Sequence, residues 1–98
     1  MYVSKLKSEE TDLLFRAILG LQDEEYCYRF FEDICTISEL RAIAQRFAVA
    51  KLLDEGQTYS AIAEKTGAST ATVSRVGKCL HYGAEGYRRA LARMQAED

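Results

Sequence analysis

Apolar residues return along the chain at the three- and four-residue intervals of a helix face. Leu13, Leu14, Ile18 and Leu21 predict a first helix from about Glu9 to Gly20. Its opening turn carries Glu9, Glu10 and Asp12, where the helix dipole favours anions. Tyr26, Phe30, Phe31 and Ile34 predict a second helix, begun by Asp23 as N-cap. Thr36-Ile37-Ser38-Glu39 reads as a capping box. It opens a third helix through Leu40, Ile43, Phe47, Ala50 and Leu53 to a stop at Gly56. Two shorter helices follow between Tyr59 and Lys78. After a break at Tyr82-Gly83-Ala84-Glu85-Gly86, a last helix sets Tyr87, Ala90, Leu91 and Met94 on one side.

The first two helices carry bulky residues around much of their circumference. A helix apolar on more than one side needs more than one packing neighbour. In so short a chain a second copy is the expected neighbour, with a compact monomer built around the third helix as the alternative. The expected organisation is one domain, 1–98. Within it, 9–56 forms the core and dimer interface, 58–80 a helix-turn-helix, and 86–96 the C-terminal helix.

The most informative stretch is Thr58 to Leu80. A helix-turn-helix crosses two short helices so closely that residue types are restricted at fixed offsets. Ala63 supplies the small residue in mid-helix, and Gly67, four places later, supplies the turn residue tolerant of positive φ. Ile62, Thr66, Ala68, Val73 and Val76 fill the inner positions, Thr66 alone being polar, and Ser69 caps the second helix. Helical periodicity then turns Thr70, Ala71, Ser74 and Lys78 outward, flanked by Thr72 and Arg75. These are small hydroxyl and methyl groups suited to a major groove, with cations for guanine edges or phosphates. The candidate DNA-binding set is Tyr59, Ser60, Lys65, Ser69, Thr70, Ala71, Thr72, Ser74, Arg75 and Lys78. Gly77 stands out inside the second helix, where it costs about 1 kcal/mol relative to alanine. It implies close approach by a neighbouring helix, a ligand or the DNA backbone.

Charge sharpens this picture. The net charge of −2 conceals an acidic front, with seven Lys/Arg against eleven Asp/Glu over residues 1–56. The rear, 57–98, carries six against four. Only the rear is suited to meet a polyanion. Arg88, Arg89 and Arg93 are either phosphate contacts or solvated. Proline is absent and 48% of the residues are hydrophobic, as expected of a helical globular chain. No run nears the roughly 20 apolar residues of a membrane span, and Met1 to Lys5 lacks a signal peptide's apolar stretch, so a cytoplasmic protein without membrane contact is expected. Cys27, Cys35 and Cys79 lack paired spacing and are expected reduced, packed as small hydrophobes; Cys79 with His81 cannot fill a metal shell. With no nucleophile motif, phosphate-binding loop or metal signature, neither enzyme activity nor a cofactor is expected.

Leu52-Leu53, Gly67-Ala68 and Ala71-Thr72-Val73-Ser74-Arg75, below acidic–apolar helix pairs in the same order, resemble the tryptophan-repressor superfamily. The likeness is specifically to its shorter YerC/YecD-type branch and covers residues 8 to 95. The resemblance implies an all-α, six-helix fold and an intertwined homodimer with interlocking N-terminal helices. It also implies two recognition helices spaced for successive major grooves. The family's effector pocket would map to Gln45, Arg46, Arg75, Val76 and Cys79. Arg75 stands at the arginine that takes the carboxylate of tryptophan. Val76 replaces the glycine that makes room for the indole, Cys79 a serine, and Gln45, next to Arg46, the second arginine. A branched Val76 fills the slot, so the effector is expected to be another small molecule, or none.

The expected function is a sequence-specific regulator of transcription, a dimeric repressor that binds an inverted repeat in double-stranded DNA. A helix-turn-helix used for protein–protein contact is the alternative that the overall acidity favours.

Overall fold

The structure, a computed structural model, describes residues 2–97. Among them all regular structure is helical: α1 (Glu9–Leu19), α2 (Glu24–Ile34), α3 (Ile37–Asp54), α4 (Tyr59–Thr66), α5 (Thr70–Tyr82) and α6 (Gly86–Glu97). The starts follow from local chemistry. Ser8 Oγ accepts the Thr11 N–H at 3.0 Å ahead of α1, and Asp23 Oδ1 accepts the Tyr26 N–H at 2.9 Å ahead of α2. After α3, Gly56 adopts a left-handed φ of 83°. Its N–H and that of Gln57 return to the Leu53 and Leu52 carbonyls at 3.0 and 3.1 Å.

The chain divides into two compact units, one through Ile37 and one from Ser38 onward. The boundary falls at the start of α3, whereas the sequence suggests residues 9–56 as a single block. The physical reason is the fate of the apolar side chains. Neither α1 nor α2 buries a residue, and Leu13, Phe15, Leu19, Tyr26, Tyr28 and Ile34 are all exposed.

The second unit holds the core. Val49 and Ala50 of α3, Ile62 of α4, Ala68 of the turn, Val73, Val76 and Leu80 of α5, and Leu91 of α6 are buried together. Phe47, Leu52, Leu53 and Tyr87 pack against them. The Phe47 and Tyr87 rings, 6.2 Å apart, join α3 to α6, and Gln95 Nε2 donates to Asp54 Oδ2 at 3.1 Å. Two expected faces are only partly used. Ile43 of α3, and Ala90 and Met94 of α6, are exposed, because core contact is confined to the second half of α3 and to Leu91 and Tyr87 of α6. No helix of the described residues is long and apolar enough to cross a membrane.

Candidate nucleic-acid interface

Thr58 and Ser69 start the two helices of the motif in the same way. Thr58 Oγ1 accepts the Ala61 N–H at 3.2 Å, and Ser69 Oγ accepts the Thr72 N–H at 3.1 Å while donating to Thr72 Oγ1 at 3.0 Å. Between the helices, Gly67 takes φ 74°, ψ 5°, and its N–H donates to the Ala63 carbonyl at 2.9 Å. Without a Cβ this left-handed residue is unstrained, and the chain turns sharply enough for α5 to cross α4. Ile62, Ala68, Val73 and Val76 are buried, and Ala63 and Thr66 half-buried.

Thr66, the one polar inner residue, is fully engaged. Its hydroxyl donates to the Ile62 carbonyl at 2.7 Å and accepts the Ala68 N–H at 3.2 Å. Its backbone carbonyl accepts from Gln45 Nε2 at 3.2 Å, which ties the end of α4 to α3. This bond joins residues 21 apart, and no periodicity announces it.

On α5 the outer face is exposed at Thr70, Ala71, Arg75 and Lys78, while Thr72 and Ser74 are half-buried. Ser74 therefore departs from the outward position expected of it, and Arg75 takes that position. Gly77 is buried with Val73, Val76 and Leu80, which widens the inner stripe toward Ser74. At about 100° per residue, Ala71, Arg75 and Lys78 are then left opposite the core. Helix α5 contains no Asp or Glu, and the ion pairs Lys7–Asp12, Arg29–Glu25, Lys51–Glu55 and Arg93–Glu97 involve neither Arg75 nor Lys78. The α5 face thus presents uncompensated positive charge. Tyr59 and Ser60 open α4 and are exposed. Lys65, in its last turn, donates to Gln57 Oε1 at 2.8 Å.

Of the three C-terminal arginines, Arg88 is exposed but engaged within the chain. Its Nε donates to the Leu80 carbonyl at 2.6 Å, with Nη2 3.3 Å from His81 Nδ1, so a cation sits on the carbonyl end of α5. Arg93 pairs with Glu97, and Arg89 is exposed.

The residues mapped to an effector pocket are placed unequally. Val76 is 1% exposed, Gln45 is bonded to Thr66, Arg46 is half-buried, and Arg75 lies on the outer face. Only Cys79 among the five lines the open depression of about 450 Å³ shared with Phe47, Gly83, Ala84, Gly86 and Tyr87. Cys79 and Cys27 are exposed thiols and Cys35 is half-buried, so the expected packing of cysteines as core hydrophobes does not hold within the chain. No group of three or more His, Cys, Asp or Glu among the described residues could hold a metal.

A capped helix, a left-handed glycine turn and a second capped helix with a cationic outer face define the class of helix-turn-helix regulators. Comparison narrows the class. The profile of the Trp repressor protein family matches residues 9–95. The uncharacterized protein YerC of Bacillus subtilis (strain 168) is 54% identical over 95 residues, spanning 97% of this chain and 91% of that protein. A TrpR-like protein from Eubacterium eligens ATCC 27750 superposes with a TM-score of 0.89 at 55% identity, over 93% of this chain and 94% of that one. A candidate Trp repressor from Staphylococcus aureus gives 0.90 at 45% identity, over 97% and 95%. The chain belongs to the Trp repressor family, a family of DNA-binding regulators and not of enzymes.

Proposed function

We propose that the chain is a sequence-specific DNA-binding repressor of transcription in the cytoplasm. It acts as a homodimer that sets α5 into the major groove at each half of an inverted repeat. The observation that carries this reading is the outer face of α5: Thr70, Ala71, Arg75 and Lys78 exposed on a capped helix without a carboxylate. Thr70 and Ala71 sample base edges, while Arg75, Lys78 and Lys65 position on phosphates. Ser60, Ser69 and Thr72 complete the contact surface. The exposed apolar side chains of α1 and α2 support the dimer, since a second copy would remove Leu13, Phe15, Leu19 and Ile34 from water.

The Staphylococcus aureus relative carries the name of a Trp repressor, but tryptophan is not proposed as the effector here. A buried Val76 stands where room for an indole is needed, and Gln45 is already committed to Thr66. Any effector is a different small molecule.

Selection of bound sites from a random duplex pool tests the reading, with the mass in solution measured alongside. A two-fold symmetric consensus and a dimer mass are expected. The acidic balance of residues 1–56 favours a second reading, a module that contacts protein. Elution from heparin without retention at low salt, with no enriched duplex, would establish that reading instead.

A further inference from the structure

Gly77 is buried in mid-helix within its own chain, so its lack of a side chain serves neither a ligand nor the DNA backbone. A Cβ built there would stand 2.8 Å from the Tyr59 hydroxyl oxygen, but 3.7 Å from both Tyr59 Cζ and Leu53 Cδ1. Ordinary carbon contacts lie at about 3.5–4.0 Å, so a single atom, the phenolic oxygen, is what a methyl group at this position would meet too closely. Tyr59 is the first residue of α4, directly after the Thr58 cap, and is 48% exposed. The ring thus bridges solvent and a notch in the backbone of α5.

Resting on the DNA-binding reading above, we infer that the Gly77 notch admits the Tyr59 ring with its hydroxyl, and that the ring packed there fixes how the start of α4 lies across α5. Tyr59 and Gly77 are then positioning residues for DNA recognition, and Tyr59 is not itself a base or phosphate contact. The seat sets the register between two exposed surfaces, Tyr59 and Ser60 at the mouth of α4 and Ala71, Arg75 and Lys78 on α5. A methyl group at position 77 forces either the ring out of the notch or the first turn of α4 away from α5. Recognition surfaces tolerate displacements of only about 0.5 Å, so affinity falls while the fold survives.

The test compares Gly77→Ala, Tyr59→Phe and the double variant in two measurements. One is thermal melting without DNA. The other is affinity for a duplex selected by the wild-type chain. Tyr59→Phe is expected within about twofold of wild type, and Gly77→Ala to bind roughly 5- to 10-fold more weakly. The double variant is expected to return to within about twofold, because removing the oxygen leaves the new methyl group at ordinary contact distance. It should also melt roughly 4–8 °C above Tyr59→Phe, the gain from alanine in a helix interior once the obstruction is gone. The inference is overturned if Gly77→Ala binds like wild type, if the double variant stays as weak as Gly77→Ala, or if Tyr59→Phe alone loses as much. A wild-type chain that enriches no duplex ends the DNA reading and the positioning role with it. The melting series still decides separately whether the hydroxyl occupies the notch.

Discussion

Replacing Thr66 by valine keeps the shape of the side chain and deletes one oxygen at the turn of the helix-turn-helix. Threonine and valine have nearly equal helix propensities, so the exchange isolates the hydroxyl. That oxygen donates to the Ile62 carbonyl at 2.7 Å and accepts the Ala68 N–H at 3.2 Å. Ala68 is only 5% exposed, so its amide has little access to water as a replacement partner. Leaving a buried donor unpaired costs about 1–3 kcal/mol, and the middle of that range lowers the melting temperature of so small a domain by on the order of 10 °C. The Gln45 bond to the Thr66 backbone oxygen at 3.2 Å is left in place. Thr66→Ser keeps the hydroxyl and loses one half-buried methyl group, at a cost of about 0.8 kcal/mol or less. Circular dichroism melts and urea titrations of the three proteins give the comparison. The reasoning is refuted if the valine variant melts with wild type, or if the serine variant is the less stable of the two.

Gly67→Ala places a side chain at φ 74° with nothing within 4 Å to meet it, so the loss is backbone strain alone, about 1–2 kcal/mol in urea unfolding. Gly83→Ala drives a Cβ into the Cys79 carbonyl, and a cost of about 1–3 kcal/mol is expected from melting. Arg88→Ala removes the cation from the Leu80 carbonyl. Because Arg88 is exposed, the expected loss is about 1 kcal/mol, seen as faster amide exchange in the last turn of α5. Lys78→Ala is expected to weaken binding to every duplex and to flatten the slope of log affinity against log salt by about 0.9 per site. An unchanged slope would remove Lys78 from the phosphate contacts.

How much of this could be read beforehand divides along sequence distance. The caps at Asp23 and Ser69 and the left-handed turn at Gly67 are decided by residues within one helical turn, and all were legible in the chain. The outer face of α5 was legible except at its edge. Whether Ser74 points outward depends on whether Gly77 counts as inner, and a glycine has no hydropathy to declare that. Gln45–Thr66 and Arg88–Leu80 span 21 and 8 residues and exist only because particular helices cross at particular points. Gly77 was conspicuous in the sequence, but its partner Tyr59 sits on another helix and could be identified only in three dimensions. The excess of apolar surface on α1 and α2 was foreseeable from composition around the helix. The break at Ile37 was not, because it reflects which of those residues find partners in the same chain.

Because every fully buried side chain among the described residues belongs to the second unit, two regions of one polypeptide should respond differently to dilution. Amide protons of α4 and α5 are shielded by a core the chain supplies for itself, so their exchange is set by an intramolecular equilibrium. In the proposed dimer, those of α1 and α2 gain shielding when a second copy lies over them. Their protection is then expected to carry a concentration dependence that α4 and α5 lack, so the contrast between the two regions tests the proposed assembly.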